Sequence, residues 1–177
     1  MRKPPNVIEI FLQPGELWFG DEHTRIRTLL GSCVAVTLWH PLRRIGGMCH
    51  YLLPVRERPP GSAPDGRYAT EALEVLLAEI RKVGAQPQEF EAKLFGGGHM
   101  FPPLHRDARS GGVGLVHDRN VEMALALVDR HGFLFKAKHL GGDGHRNIIF
   151  DLWSGHVWMR HFPLTPGAPG GGEEKAP

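Results

Sequence analysis

The 177-residue sequence has few cysteines, no long apolar stretch and almost no excess of either charge. Two cysteines provide no disulfide framework and no CxxC motif, which favours a reducing compartment and predicts a cytoplasmic protein. No run approaches the roughly eighteen apolar residues of a membrane span, and the first residues lack the apolar segment of a secretion signal, so we expect no direct membrane insertion. The formal net charge is only +2 with scattered basic residues, which gives no indication of nucleic-acid binding.

Eleven histidines suggest a metal site, but their spacing does not support one. His99 with His105, and His156 with His161, are loosely spaced, and no acidic partner lies at helical spacing. The glycine run before His99 resembles a phosphate loop but lacks the Lys-Ser/Thr pair that grips phosphate and magnesium. We therefore expect no metal and no cofactor, and we interpret the glycines as a close approach of the backbone to a neighbour or a substrate.

Composition predicts one globular domain over residues 1–164. Hydrophobic residues make up 41% and charged residues 23%, which is typical of a chain with a packed core. Residues 165–177 are rich in Gly, Pro and Ala with a small charged cluster, and this composition predicts a disordered tail.

Hydrophobic periodicity predicts two main helices and several strands. One helix is expected over 68–83, and a second opens within 113–120, with Asp118 or Asn120 as N-cap, and ends at Gly132. Strands are expected over 7–19 (one or two, broken at Pro14-Gly15), 25–30, 34–39, 45–53, 90–95, 133–140, 147–152 and 156–162, with loops at 54–66 and 102–112. These elements predict an α+β fold of layered, mainly antiparallel β-sheets covered by two main helices.

The residues around Cys33 and His50 have the parts needed for nucleophilic cysteine chemistry. Cys33 follows Gly31-Ser32 and precedes one apolar run, and His50 lies seventeen residues later in the next run. In an antiparallel hairpin of these runs, both residues lie near the same end. We expect Gly31 to adopt a φ value that other residues resist, and the backbone N–H groups near Ser32 and Cys33 to hold an oxyanion. His50 is expected to raise the thiolate fraction of Cys33 and to protonate the leaving group.

Spacing alone leaves a structural interpretation open. A free cysteine in an apolar strand is usually a small buried hydrophobe, and a nearby histidine is usually a hydrogen-bonded core residue. Cys49 provides an internal comparison, because no glycine turn precedes it and period-2 alternation places it on the opposite strand face from His50. We expect Cys49 to be structural.

Five ordered sequence blocks resemble the CheD family, the chemoreceptor glutamine deamidases of bacterial chemotaxis. The blocks are LGSCVAV (30–36), GGMCHYLLP (46–54), AKLFGGGHM (92–100), RN (119–120) and GGDGHR (141–146). A single LGSC would be a weak signal, but five blocks in order, with the family's Cys-to-His spacing, are specific. The resemblance covers roughly residues 24–162.

The resemblance implies a fold akin to the catalytic domain of the deamidase toxins, with Cys33 as nucleophile and His50 as its base. The implied substrates are selected glutamines on the cytoplasmic helices of methyl-accepting chemotaxis receptors, which become glutamate through a thioester. Receptor glutamyl methyl esters are a further implied substrate, since only the leaving group differs. A phosphatase of the CheC type is a further implied partner.

One position departs from the family pattern. The third catalytic residue of the family is a threonine six residues before the cysteine, where this chain has Arg27, and Thr28 lies one residue nearer. Strand alternation turns Thr28 away from Cys33 unless a bulge restores it. Thr28 stays the candidate third residue, with a backbone carbonyl that orients His50, or Arg27 acting on the thiolate by charge, as alternatives. The departure also motivates a second functional hypothesis, a non-catalytic adaptor that binds receptors or a CheC-type phosphatase.

Overall fold

The computed structural model describes residues 2–100, 116–164 and 174–176. Its strands are β1 (Ile8–Phe11), β2 (Leu17–Gly20), β3 (Thr24–Leu30), β4 (Val34–His40), β5 (Ile45–Tyr51), β6 (Glu91–Gly96), β7 (Leu134–Leu140), β8 (His145–Asp151), β9 (His156–Phe162) and β10 (Glu174–Ala176). Its α-helices are α1 (Ala69–Lys82) and α2 (Val116–His131), and a 3-10 turn spans Pro87–Glu89. The predicted loop at 102–112 lies outside the described residues.

The strands of the described residues form two five-stranded sheets. The outer sheet has the order β1-β3-β8-β9-β10, and the central sheet has the order β2-β5-β4-β6-β7. Neighbouring strands run antiparallel except for two parallel pairs, β1 with β3 and β6 with β7. The predicted α+β fold of layered, mainly antiparallel sheets is confirmed, and the two parallel pairs are details that periodicity does not reveal.

The central sheet is the middle layer of the fold. Alternation along β4 sends Val36 and Leu38 into one hydrophobic cluster, which includes the buried faces of α1 and α2. Ala35 on the same strand points the other way, into a second cluster formed with the outer sheet. Each fully buried aliphatic side chain in these clusters contributes about 1.5–3 kcal/mol relative to an exposed one. The domain is therefore held together on both faces of one sheet.

The two helices cover one face of the central sheet. Each end of α1 lies within one residue of the predicted range 68–83. Gly84, which follows the helix, has a left-handed backbone conformation. The second is already helical at Val116, so Asp118 and Asn120 lie inside it and the predicted N-cap at either residue is wrong. No helix in the described part of the chain is long and apolar enough to cross a membrane.

A short strand occupies part of the predicted tail. For Glu174–Ala176 the structure has β10, antiparallel to β9, where the composition predicts disorder. Backbone pairing with an edge strand explains this order, because a ladder needs no particular side-chain composition. Residues 165–173 and 177 of the predicted tail lie outside the described residues.

Candidate active site

The β4–β5 hairpin brings Cys33 and His50 to the same end of the central sheet, as the sequence predicts. Ala35 pairs with His50 in the antiparallel register, and Cys33 lies just before β4. Both residues line one open pocket of about 350 Å³. The other lining residues are Pro14, Leu29, Gly31, Ser32, Met100 and His145. A thiol and an imidazole therefore face a space large enough for a substrate side chain.

Thr28 faces His50, with its hydroxyl oxygen 2.7 Å from Nδ1 of the imidazole. The register of β3 with β8 is continuous from Arg25 to Leu30, so no bulge is needed to turn Thr28 inward. The predicted alternation fails because residues 31–33 form a turn outside the strand, and faces cannot be counted through a turn. The third candidate residue thus joins the site directly.

Arg27 lies on the exposed face of β3, away from the pocket. Its guanidinium Nη1 is 2.7 Å from Oε1 of Glu9, and both side chains are about half exposed. The pairing lowers the pKa of the Glu9 carboxyl, chiefly through the hydrogen bond from Arg27. The alternative in which Arg27 assists the thiolate by charge is therefore wrong, because its charge is directed to a carboxylate on β1.

The hydrogen bonds around Thr28 set the tautomer of His50. The Thr28 hydroxyl donates to the carbonyl of Leu12 over 2.9 Å. Because a hydroxyl has a single proton, its contact with His50 must be one in which Nδ1–H donates to the threonine oxygen. Nε2 then keeps its lone pair, and this buried atom has no hydrogen-bond partner among the described residues. The ring is held with its free basic nitrogen available for proton transfer.

Burial disfavours charge on both members of the pair. It lowers the pKa of His50 to about 4, opposed by the Leu12 carbonyl and the charge of Glu16. Burial also raises the pKa of the Cys33 thiol, opposed by the backbone N–H of Cys33 and by a hydrogen bond from Ser32. Burial therefore favours a neutral thiol and a neutral imidazole before substrate binds, and the gain of thiolate through His50 stays a prediction.

The glycine run 96–98 holds the turn that carries Cys33. The N–H of Gly97 donates to the Cys33 carbonyl over 2.8 Å, and the N–H of Gly98 donates to the Gly31 carbonyl over 2.9 Å. A Cβ added to Gly96 would lie 2.2 Å from the Cys33 carbonyl oxygen, so only glycine permits this approach. The interpretation of these glycines as a close backbone contact is confirmed, and the contact is with the turn itself.

Gly31 has a different role from the expected one. Its φ does not lie in the left-handed region, so the expectation of an unusual backbone is wrong. A Cβ at this position would lie 2.8 Å from Sδ of Met100, so a larger residue here would require the flexible Met100 side chain to shift. Met100 packs over the turn and forms part of the pocket wall.

Asn120 supports the turn from α2, a role that sequence reasoning missed. Its side-chain Nδ2 donates to the carbonyl of Leu52 over 2.7 Å and to that of Ser32 over 3.4 Å. Its own carbonyl accepts a hydrogen bond of 2.6 Å from the Tyr51 hydroxyl. The Arg-Asn block 119–120 is the available signal, but the N-cap prediction assigns this asparagine a different role.

Cys49 lies on the opposite face of β5 from His50. It is only 1% exposed and belongs to the helix-side hydrophobic cluster. Burial raises the pKa of its thiol to about 12. This placement is the structural one predicted for it.

The chain is similar to known proteins over most of its length. A family model described as CheD chemotactic sensory transduction matches residues 52–161. A protein named "Probable chemoreceptor glutamine deamidase CheD" from Pseudomonas savastanoi pv. phaseolicola is 53% identical over 164 residues, which cover 93% of this chain and 90% of the relative. The similarly named CheD 3 of Dechloromonas aromatica is 46% identical over 159 residues (88% and 89%), and CheD 1 of Leptospira interrogans is 35% identical over 162 residues (89% and 95%). The chain belongs to the CheD family.

Proposed function

We propose that this chain is a protein-glutamine deamidase that converts selected glutamines of methyl-accepting chemotaxis receptors to glutamate. Cys33 is the nucleophile, His50 is the base and then the acid, and Thr28 orients His50. Membership of the CheD family supports the activity. The observation that carries the mechanism is the 2.7 Å contact between Thr28 and His50, because His50 lines the same pocket as Cys33. The reaction takes place in the cytoplasm, where the receptor helices are located.

The first half of the reaction transfers the glutamyl group to the enzyme. The Cys33 sulfur attacks the side-chain amide carbon while its proton moves to Nε2 of His50, and the carbonyl electron pair moves onto oxygen. When the tetrahedral intermediate collapses, His50 returns that proton to the amide nitrogen, and the carbon–nitrogen bond breaks. Ammonia leaves, and a thioester joins the substrate to Cys33.

The second half releases glutamate by the same groups. Water replaces ammonia in the pocket and gives a proton to Nε2 of His50 as its oxygen attacks the thioester carbon. Collapse expels the Cys33 sulfur, which recovers its proton. A receptor glutamyl methyl ester would follow the same steps with methanol as the leaving group.

The turn before Cys33 supplies the oxyanion donors in this scheme. We assign that role to the backbone N–H groups around Ser32 and Cys33, with Gly31 as the start of the turn. The N–H of Ser32 shares its peptide group with the Gly31 carbonyl, which accepts from Gly98, and the N–H of Cys33 shares its peptide group with the Ser32 carbonyl, which accepts from Asn120. Both donors are therefore oriented before substrate arrives. Such preorganised donors are worth about 3–4 kcal/mol each where they have been removed in other enzymes.

The adaptor hypothesis loses its motivation in this structure. It depended on Arg27 standing where the family has a catalytic threonine, and Arg27 pairs with Glu9 while Thr28 supplies the hydroxyl. Receptors are the partners that the deamidase proposal requires. A CheC-type phosphatase stays a second proposed partner, which a pull-down from purified components would test.

Mass spectrometry of a receptor cytoplasmic fragment tests the proposed function. After incubation with the protein, each modified glutamine should gain about one mass unit as an amide becomes an acid. Cys33→Ala should abolish the gain, and the matched variant Cys49→Ala should retain it. The proposal is wrong, and the protein is an adaptor, if wild type binds the fragment but the receptor peptides have the same masses after incubation with wild type and with Cys33→Ala.

A further inference from the structure

A second group of chemically competent side chains lies outside the mechanism. His99, His117 and Asp118 each place one potential metal-ligand atom within 4.8 Å of the other two. The imidazole centroids of His99 and His117 are 3.7 Å apart, with the rings inclined at 56°. None of these three residues lines the pocket of Cys33 and His50. Two imidazoles and a carboxylate therefore converge on one point that the deamidase chemistry does not use.

One ring nitrogen of this group lacks a hydrogen-bond partner among the described residues. Nε2 of His117 is buried and makes no hydrogen bond to any of the described residues, and the side chain is 12% exposed. Nε2 lies 3.4 Å from Oδ1 of Asp118, which is beyond the usual hydrogen-bond length. A buried polar atom without a partner is costly and rare, so this nitrogen is available to bind a ligand. Asp118 is 55% exposed, which leaves the group accessible from solvent.

One separation in this group matches the spacing that a tetrahedral metal ion imposes on its ligands. Zinc binds imidazole nitrogen and carboxylate oxygen at about 2.0–2.2 Å, so two ligands at a tetrahedral angle lie about 3.3–3.6 Å apart. The His117–Asp118 separation of 3.4 Å falls within this range. Imidazole and carboxylate donors without a thiolate suit Zn²⁺ and its first-row neighbours.

We infer that His99, His117 and Asp118 form a binding site for a divalent transition-metal ion of the zinc class, with a fourth position for water or another ligand. Sequence spacing missed this site because it compared His99 with His105, which lies outside the described residues. The partner in the structure is His117, on a different element. The expectation of no metal centre is replaced by this proposal.

The site connects α2 to the loops beside the catalytic turn. The backbone of His99 is fixed at both polar groups, since its N–H donates to Gly142 over 2.8 Å and its carbonyl accepts from Gly144 over 2.9 Å. His117 belongs to the first described turn of α2. An ion shared by the two histidines would cross-link the helix to the segment that follows the glycine run. We therefore expect metal binding to raise the melting temperature.

Cobalt(II) titration of a Cys33→Ala protein tests the inference without interference from the thiol in the pocket. We expect visible d–d absorption that saturates near one equivalent, lacks a thiolate-to-cobalt charge-transfer band, and disappears when Zn²⁺ is added. His99→Ala and His117→Gln should each weaken cobalt binding by at least about tenfold, since each removes one ligand. His131→Ala, at the other end of α2, is the matched control and should bind as the parent does.

Thermal unfolding provides a second readout and a check on folding. Zn²⁺ should raise the melting temperature of the Cys33→Ala parent and of His131→Ala but not that of His117→Gln. Unchanged cobalt affinity in both ligand variants, with circular dichroism showing them folded, would overturn the inference, as would no binding by the parent. Receptor deamidation is not used as a readout, so failure of this site is distinguishable from failure of the proposed function.

Discussion

The two faces of the central sheet provide different environments, although the side chains of both faces come from the same strands. On the helix side, Cys49 lies in a closed hydrophobic cluster between β5 and the helices. On the outer-sheet side, its neighbour His50 lies at the end of the second cluster, where the two sheets open into the pocket. Adjacent residues of one strand thus have opposite environments. The face of the strand on which a residue lies, more than its residue type, distinguishes the buried thiol of Cys49 from the candidate catalytic pair Cys33 and His50.

The difference follows from what each facing layer offers a buried polar group. The outer sheet presents the Thr28 hydroxyl to His50, and the Leu12 carbonyl, in the segment before β2, accepts the proton of that hydroxyl. The helix side surrounds Cys49 with apolar side chains, and an imidazole placed there without partners would cost about 1–3 kcal/mol. A sheet–sheet seam is therefore the face that can hold a histidine in one tautomer.

The largest expected effect comes from removing the base on the outer-sheet side. His50→Ala should lower kcat for receptor deamidation by about a thousandfold or more, because it removes the imidazole that takes the thiol proton in the proposed mechanism. Cys49→Ala, the preceding residue and on the helix side, should change kcat by less than about threefold. Initial rates from peptide mass spectrometry measure both. Comparable losses in the two variants would end the distinction between the faces.

Alkylation compares the two cysteines directly. In the folded protein at pH 7, iodoacetamide should label Cys33 at least about tenfold faster than Cys49, which is buried with its pKa raised to about 12. Peptide mapping over time gives the two rates. In denaturant the rates should converge, which serves as the control. Equal slow labelling of both residues in the folded protein would contradict the open pocket.

Thr28→Val tests the hydrogen bond that orients the ring. Loss of this buried bond should lower kcat about 10- to 100-fold with little change in KM, because the ring loses its fixed tautomer while the pocket keeps its shape. Thr28→Ser should recover most of the rate. Arg27→Gln, one residue away on the exposed face, should leave kcat nearly unchanged, and a large effect there would reopen the role of Arg27.

The pH dependence of kcat/KM tests whether Cys33 and His50 are both neutral before substrate binds. Because burial lowers the pKa of His50 to about 4, its Nε2 stays unprotonated as the pH falls, until that value is approached. Because burial raises the pKa of the Cys33 thiol, the thiol stays protonated through its ordinary titration range. Its ionisation should therefore affect the rate only at higher pH. We expect kcat/KM to be nearly flat from about pH 5 to pH 8.5. An acid limb centred near pH 6.5, in protein shown to be folded, would contradict this.

The smallest effect on catalysis is expected from damage to the helix-side cluster. Leu76→Ala should lower the free energy of unfolding by about 2–5 kcal/mol, since Leu76 is fully buried against the central sheet. Below the unfolding transition, kcat should stay within about twofold of wild type. Urea unfolding and initial rates measure the two quantities. A loss of rate in folded protein would show that the faces are coupled.

Local patterns in the sequence predicted much of the fold and the hairpin pairing of the site. Helical spacing identified α1, and the paired apolar runs placed Cys33 near His50, because both depend on contacts close in sequence. The partition into two sheets and their parallel pairs depends on contacts between distant segments, for which periodicity has no signal. Thr28 was misjudged because alternation stops where a strand ends.

Sequence patterns also could not show side-chain contacts between residues that are distant in the sequence. Asn120 was interpreted as a cap because asparagine favours that position, but its side chain bonds to Leu52 and Ser32 across the fold. The pairing of His99 with His117 likewise depends on how α2 packs, and no spacing rule joins residues of two separate elements.

The hydrogen bonds from Gly97 and Gly98 to the turn before Cys33 have a consequence for biosynthesis. A chain emerging from the ribosome exposes its thiol and imidazole long before the residues that fix the turn have been made. Until β6 pairs with β4, the two carbonyls have no anchor, and the peptide groups beside the sulfur are free to rotate. The chain thus becomes catalytically active only when its tertiary structure is complete. An unfinished chain contains Cys33 and His50 but has no active site.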